Sequence, residues 1–516
     1  MAPTFPSRRL ASAFASASAS ASTPSHGKRP LGLALLRRRK ATSGNSFDAR
    51  RGRAQKNACV APSSSSSATQ VEDESEIFSK LLETSFNIQG AANNGLGCRV
   101  EVIGGELKLV SSRALAAGEV ILRVPIDATL SESMFEDIFD SDESLDGLET
   151  WMKIVLVLMH IKNSRSEEGE EMKWRPVLDK LDTERFRKHP LLWSDEDLSE
   201  LNGTQTLAKL QSYKEYLESM WQQMEEYVFP VLGMDYARRE DFFWAFGVLK
   251  TNALRPFSQP QTLRIIPMLN MITHGRQPNS NTKFASSGIF KKDETLDLLA
   301  TRDIGEGEVV SYDFDPTKGE IDILTDYGAF DVLRPSGGLE LTLELDEDDF
   351  NFDEKCDVVE EVAKLSVVQG FAISEGDIPE DLFAFLRLIQ LKDADAFLLE
   401  PVFRKDVWDF MKNPVSIDNE GNVCKSMIQS CKDALADFPT TIDEDEEALK
   451  TLVSNSRTRN SQRRMAVETR LVEKRAFRAL LNYFTKEKSQ LSLKEYYHER
   501  RLKSLGLLDL DGNSTF

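Results

Sequence analysis

Ile266-Pro267-Met268-Leu269-Asn270-Met271-Ile272-Thr273-His274, followed by Pro278-Asn279, is the stretch on which the reading of this chain turns. An apolar strand runs directly into a polar Thr-His pair. Downstream come Gly307-Glu308-Val309-Val310-Ser311-Tyr312-Asp313 and then Leu324-Thr325-Asp326-Tyr327-Gly328, each delivering a tyrosine. Buried tyrosines and histidines with bonded polar atoms occur singly in ordinary cores. A strand, a Thr-His pair and two tyrosines in this order point instead to a site.

The segments on either side set the fold class. From about Asn87 to Pro125, Cys98–Ile103, Leu107–Val110 and Glu119–Pro125 alternate like short strands, with Gly104-Gly105 as a turn. Leu207, Leu210, Tyr213, Leu217, Trp221, Met224 and Val228 then recur every three or four residues, the period of an amphipathic helix. Asp241 is expected to cap a second helix carrying Phe242, Phe243, Trp244, Phe246 and Val248. Strand-like segments return at Leu263–Ile266, Leu296–Leu299 and Val309–Tyr312. A helical block between two sets of short strands is not a βαβ series, which argues against a doubly wound nucleotide-binding fold. After Pro335-Ser336-Gly337-Gly338 the pattern predicts one strand, Leu339–Leu345, an acidic stretch, and helices to the end. Arg463, Arg464, Arg470, Lys474, Arg475 and Arg478 on the last long helical segment read as a solvated face balanced by acidic surroundings.

Length and charge narrow the function. A chain of 516 residues implies two or three domains, and a 41% hydrophobic fraction is enough for packed cores. No apolar run approaches the ~20 residues of a membrane span, so no membrane partner is expected. From Met1 to Phe47 there is no Asp or Glu, while serine, alanine and arginine recur. This bias reads as a chloroplast transit peptide over residues 1–60 rather than a plain basic tail, with a linker at 61–76. Residues 1–60 hold three lysines and nine arginines against Asp48 alone; of 64 basic and 84 acidic residues the remainder therefore keeps 52 and 83, a balance of −31. Such a surface repels nucleic acid and suits a basic patch on a protein. Cys98, Cys356, Cys424 and Cys431 form no C-x-x-C pair, which fits a reducing compartment without disulfides or structural zinc.

Further motifs join these in a fixed order: Asn94-Gly95-Leu96-Gly97, the run from Leu192 to Gln205, Asp241-Phe242-Phe243-Trp244, Asp393-Ala394-Asp395-Ala396-Phe397 and Tyr496-Tyr497-His498-Glu499. Together they resemble the Rubisco large-subunit lysine methyltransferase family of plant SET-domain proteins over nearly everything after the leader. The resemblance implies an α+β fold. Its SET domain of short strands would span 77–335, with a helical insert at about 140–260, followed by a helical substrate-binding domain at 336–516. It implies methyl transfer from S-adenosylmethionine to a lysine of a stromal protein, such as Rubisco large subunit or aldolase, without a metal. Tyr312 is then the leading catalytic residue, with Tyr327 lining the lysine channel and Asn270 touching substrate beside them. Asn94, Gly95, Leu96, Asn252, Thr273 and His274 would contact the cofactor.

The chemistry suits those residue types. Lysine's reference pKa of ~10.4 leaves almost no neutral amine at pH 7, and a narrow, dry channel both disfavours the ammonium and aligns the amine. Three positions depart from the family pattern. The family has Asn where this chain has Thr273, Arg at Asn252 and Asp at Asn270. Loss of one charge-assisted bond costs about 1.5–3 kcal/mol. Two readings follow: a stromal protein-lysine methyltransferase first, and as alternative a catalytically weakened SET-fold protein acting as a stromal binding or assembly module.

Overall fold

Alternating apolar residues, short turns and one largely apolar helix shape the first part of the chain. The computed structural model describes residues 78–90, 95–103, 106–139, 145, 147–164, 169–181, 189–255, 262–287, 293–330, 338–374, 378–454 and 462–508. The expected transit peptide, the linker and Asn94 lie outside the described residues. Strands β1 (Cys98–Ile103) and β2 (Glu106–Ser111) pair antiparallel, burying Val100 and Leu109. Strand β3 (Val120–Pro125) belongs to a separate three-stranded sheet. A bulge between Val120 and Leu122 breaks its alternation, so that neighbouring Ile121 and Leu122 are both buried.

Helix α1 (Thr150–Asn163) is apolar almost all round, burying Met152, Ile154 to Met159 and Ile161. A helix of that kind needs cover on every side. Helices α2 (Gln205–Gln223) and α3 (Arg239–Asn252) follow, and α3 packs on α1. The predicted amphipathic period of α2 holds, with Leu207, Leu210, Leu217 and Trp221 buried and a π-helical turn continuing it through Val228. Asp241 is not the cap of α3. The cap is Arg238, without a side-chain bond, and Asp241 lies in the first turn, where the helix dipole favours an anion. There its carboxylate takes Asn163 at 3.2 Å and Lys162 at 3.1 Å.

Strands β4 (Ala253–Leu254) and β5 (Arg264–Ile265) form a short antiparallel pair; β6 (Thr273–His274) comes next. β7 (Ser280–Ser287) and β8 (Asp293–Ala300) complete the sheet in the order β3-β8-β7. The register of β3 on β8 pairs Arg123 with Asp297, whose carboxylate accepts the guanidinium in a two-bond fork at 2.7 and 2.6 Å. β7 carries Ser, Asn, Thr and Lys and gave no strand signal; it forms because β8 offers it a full edge. β9 (Ser311–Tyr312) pairs in parallel with β6 and leads to helix α4 (Glu320–Tyr327).

Arg276, just after β6, holds these last pieces together. Its guanidinium donates to Glu320 in the first turn of α4, to Asp313 after β9 at 3.2 Å, and to the carbonyl of Asp315 at 3.0 Å. Its side chain is 10% exposed and that of Glu320 is fully buried.

Among the described residues two compact units emerge, one holding 78–193 and 210–330, the other 194–209 and 338–508. In the second, β10 (Gly338–Glu344) is joined by β11 (Val368–Ser374), so the single strand expected there is one half of an antiparallel pair. Leu341, Leu343, Phe371 and Ile373 share one core with apolar residues of helix α5 (Glu380–Ile389) and helix α6 (Ile417–Ala436), the Phe371 ring lying 5.7 Å from that of Phe385. Helices α7 (Ile442–Ser454) and α8 (Gln462–Ser489) pack along each other. The basic face of α8 is a solvated one only in part. Arg464, Arg470 and Lys474 are buried. The Asp445 carboxylate takes Arg470 at 2.8 Å and Lys474 at 2.6 Å, and Arg470 also reaches Glu200 at 3.1 Å. Glu473 of α8 accepts from the backbone N–H of Gln205 at 2.7 Å and of Thr206 at 3.0 Å. It thereby satisfies two of the donors that open α2.

Two stability outcomes follow. Arg276→Met strands a buried carboxylate and should cost about 3–5 kcal/mol in urea unfolding, much of it recovered when Glu320→Gln is added. Burial alone would raise the Asp445 carboxyl, but Arg470, Lys474 and Thr440 more than offset it and hold it below the usual range. That contribution is complete above the unfolded value of about 4 and lost as pH falls through the lower folded value. Asp445→Asn should therefore lower the midpoint of thermal unfolding at pH 7 and flatten its decline in acid, as read by circular dichroism.

Candidate active site

The site grows from two strands of two residues each. In the parallel β6–β9 pair Thr273 stands opposite Ser311 and His274 opposite Tyr312. Strands this short cannot hold their own register, and Asn279 does it for them. Its carboxamide donates to the Val309 carbonyl at 2.9 Å and accepts from Ser311 N–H at 2.8 Å, while Ser280 Oγ donates to the Ser311 carbonyl at 2.8 Å. Val309 and Val310, expected to belong to this strand, also reach β2: Val310 N–H donates to the Leu109 carbonyl at 2.8 Å, while its own carbonyl accepts the Thr273 N–H of β6 at 3.3 Å.

Tyr312 is 2% exposed, with its hydroxyl 3.4 Å from Thr282 Oγ1 on β7. Phe314, two residues on, links the other pieces. Its ring lies 5.0 Å from the His274 imidazole and 5.2 Å from the Tyr327 ring, both tilted. Its N–H donates to His274 Nδ1 at 3.3 Å, which places the imidazole proton on Nε2, facing Glu320 at 3.6 Å. The His274 side chain is thus held by Phe314 on one side and faces Glu320 on the other. Burial first, then Asp326, pushes the Tyr327 phenol above its ordinary value. Gly328 ends α4 with φ of 63°, and a Cβ there would sit 3.1 Å from His189, so the Asp-Tyr-Gly motif is a helix end that only glycine closes.

Asn270 lies two residues after Met268, a non-glycine residue held at φ 65° within the core. Such a backbone costs of order 1–3 kcal/mol and marks functional turns. Asn270 Nδ2 reaches Asn252 Oδ1 at 3.5 Å. Asn252 closes α3 and spends both amide hydrogens locally, on the Val248 carbonyl at 3.0 Å and Thr251 Oγ1 at 2.8 Å. Gly95 and Leu96 lie before β1, where the Leu96 carbonyl accepts from Ser112 Oγ at 2.7 Å just beyond β2. The structure thus draws Thr273, His274, Tyr312 and Tyr327 together and pairs Asn252 with Asn270. Gly95 and Leu96 connect to that group through β2.

Sequence reasoning missed Phe314, Arg276 and Glu320. Phe314 stands two residues beyond Tyr312, and that spacing was its available signal. The two charged residues gave none, because their partners are distant in sequence. Cys98, Cys356, Cys424 and Cys431 are free thiols, and among the described residues no His, Cys, Asp and Glu side chains group to hold a metal.

Comparison with known proteins agrees with this arrangement. Residues 346–477 match the family described as Rubisco LSMT substrate-binding. The chain is 31% identical over 473 residues to the [fructose-bisphosphate aldolase]-lysine N-methyltransferase, chloroplastic, of Arabidopsis thaliana, spanning 89% of this chain and 93% of that one. It is 31% identical over 424 residues to the chloroplastic ribulose-1,5 bisphosphate carboxylase/oxygenase large subunit N-methyltransferase of Nicotiana tabacum, spanning 80% of this chain and 82% of its relative. The crystal structure of the SET domain of LSMT bound to lysine and AdoHcy superposes with a TM-score of 0.74 at 27% identity, covering 85% of this chain and 97% of that one. The α+β architecture is that of a SET domain carrying helices and followed by a largely helical region. Near-full-length similarity, the Thr-His and Tyr312 strand pair and the Asp-Tyr-Gly helix end make this chain a member of the Rubisco large-subunit methyltransferase family of SET-domain protein-lysine N-methyltransferases.

Proposed function

We propose that this protein transfers methyl groups from S-adenosylmethionine to a lysine of a chloroplast stromal protein. The observation that carries the reading is the pairing of His274 with Tyr312 on adjacent parallel strands, with Phe314 joining both to Tyr327. The names of its relatives support the reaction class and the compartment, and the proteins in those names, Rubisco large subunit and fructose-bisphosphate aldolase, are the first acceptors to try. Residues 77–335, with the helical insert at about 140–260, carry the chemistry in this reading, and 336–516 dock the acceptor protein. Residues 1–60, free of acidic side chains up to Phe47, serve as transit peptide ahead of the 61–76 linker.

The residues present fit the cofactor. Gly95 adopts φ of 68° with nothing within 4 Å of where a Cβ would stand, so that side of its backbone is open to close approach, while its peptide with Leu96 packs against Gly90. Gly95, Leu96, Thr273 and the main chain of His274 would hold it, joined by Asn94. Asn252, its hydrogens committed, offers only a carbonyl oxygen, which suits an ammonium rather than a carboxylate. S-adenosylmethionine supplies a sulfonium-bound methyl that reacts with a neutral amine in line with the sulfur–carbon bond. Tyr312, Phe314 and Tyr327 enclose that position with aromatic surface, which disfavours the lysine ammonium and orients the amine. Asn270 flanks them on the substrate side. Tyr327, its phenol raised by burial, stays protonated at neutral pH, so it orients the amine and does not take its proton. The proton leaves to solvent.

Tyr312→Phe should lower kcat roughly a hundredfold, the usual cost of removing one preorganised hydrogen-bonding group, with cofactor binding retained in calorimetric titration. Labelled cofactor and stromal extract make the assay. If the parent protein labels no lysine above the variant, while staying folded, the catalytic reading is lost and the binding-module alternative takes its place. The pH–rate profile is a second check. Activity should climb by up to about tenfold per unit as the acceptor ammonium deprotonates, with no fall from tyrosine ionisation below the ordinary tyrosine value of about 10.

A further inference from the structure

Tyr327 also lines a cavity of about 340 Å³ whose other groups have no role in the methyl-transfer step proposed above. Trp151, Tyr213 and Tyr216 form one aromatic wall. Lys250, its ammonium 5.4 Å from the Tyr213 ring, and Lys318 converge on a single carboxylate. Lys250 Nζ lies 2.6 Å from Asp326 Oδ1, and Lys318 Nζ bonds Oδ2. Arg255 stands exposed at the mouth, and exposed Glu149 accepts from Trp151 Nε1 at 2.8 Å. The charged lining is therefore three cations against two carboxylates, an excess of positive charge in a chain whose balance beyond residue 60 is −31.

That excess persists at physiological pH. Burial would raise the Asp326 carboxyl, but Lys250 and Lys318 more than offset it and hold it at about 2. Burial, then Glu149, pushes the Tyr216 phenol up to about 12, so it remains an O–H donor. A carboxylate entering here meets ammonium groups and phenol donors, the charge-assisted partners it binds most strongly. An aliphatic side chain would leave those groups desolvated and unmatched, and a lysine or arginine would face like charge.

We infer that this cavity receives the side chain of an Asp or Glu lying within two residues of the acceptor lysine in the protein substrate. The inference rests on the lysine methyl-transfer reading, because Tyr327 lines the cavity and is there assigned to the lysine channel. Consecutive residues of an extended chain advance about 3.3 Å each, so a group beside Tyr327 belongs to a near neighbour of the lysine. The cavity is then a specificity device. It selects acceptor sequences by a flanking carboxylate in a chain whose overall charge is negative.

Fluorescent lysine peptides test this on the full chain in the presence of S-adenosylhomocysteine. Each carries Asp, Glu, Asn, Gln, Lys or Phe at one position within two of the lysine. At one position the acid should bind on the order of tenfold more tightly than its amide, with the advantage shrinking as salt is raised. Arg255→Gln and Lys318→Gln, made separately, should each erode that advantage and leave the amide peptide's affinity unchanged. Equal binding of acid and amide at every position, a preference for Phe, or no binding by any peptide would overturn the assignment. Labelling of protein lysines by the same preparation reports separately on the enzyme. Retained labelling with no acid preference removes only the cavity's role.

Discussion

A buried guanidinium is what this site is built around. Arg276 leaves the end of β6 and bonds the stretch after β9 and the first turn of α4. Those three segments carry His274, Tyr312 and Tyr327, and none has enough secondary structure to place itself. Their separation is set by one planar fork with several donors in fixed directions, which a lysine could not reproduce. Glu320 answers it and faces His274 Nε2 as well, so one buried carboxylate serves both the clamp and the imidazole. A burial this complete is tolerated only because each charge has its partner.

The second unit uses charge in a related way on a larger scale. Asp445, Arg470 and Lys474 form a buried network, joined by half-buried Glu200, where the apolar contact of α7 with α8 is thin, its buried cluster among the described residues being Ile442, Val467 and Leu471. Elsewhere its core is conventional, with leucines of β10 and α5 at its centre. The acidic character of the chain is thus spent partly inside, and the surface charge is not a direct reading of composition.

Much of this was legible in the sequence, and the parts that were not share a cause. The period of α2, the strand at β8 and the two tyrosine motifs declared themselves because each signal is local. β7 and β11 did not: Ser280–Ser287 is too polar and Val368–Ser374 carries Gln369 and Gly370, so each depends on the edge its partner offers. β9 is shorter than expected because Val309 bridges to β2 and Val310 divides its bonds between β2 and β6. The basic residues of α8 looked solvated because their partners, Asp445 and Glu200, stand 25 and 270 residues away. At the candidate site the named residues clustered where the motifs overlap. Phe314, Arg276 and Glu320 work through bonds that no short window of sequence displays, and Asn252 turned out to be occupied by its own helix.

The bond from Glu473 to the start of α2 has a temporal side. Its partners stand 268 and 267 residues apart, so α2 leaves the ribosome with two backbone donors that only a much later helix will satisfy. Synthesis at about 5–20 residues per second makes that wait many seconds long. Residues 194–209 belong to a unit that does not yet exist while the chain around them is already able to collapse. A protein arranged this way cannot finish its domains in the order it is translated, and the interval leaves an unpaired helix end for a chaperone to cover.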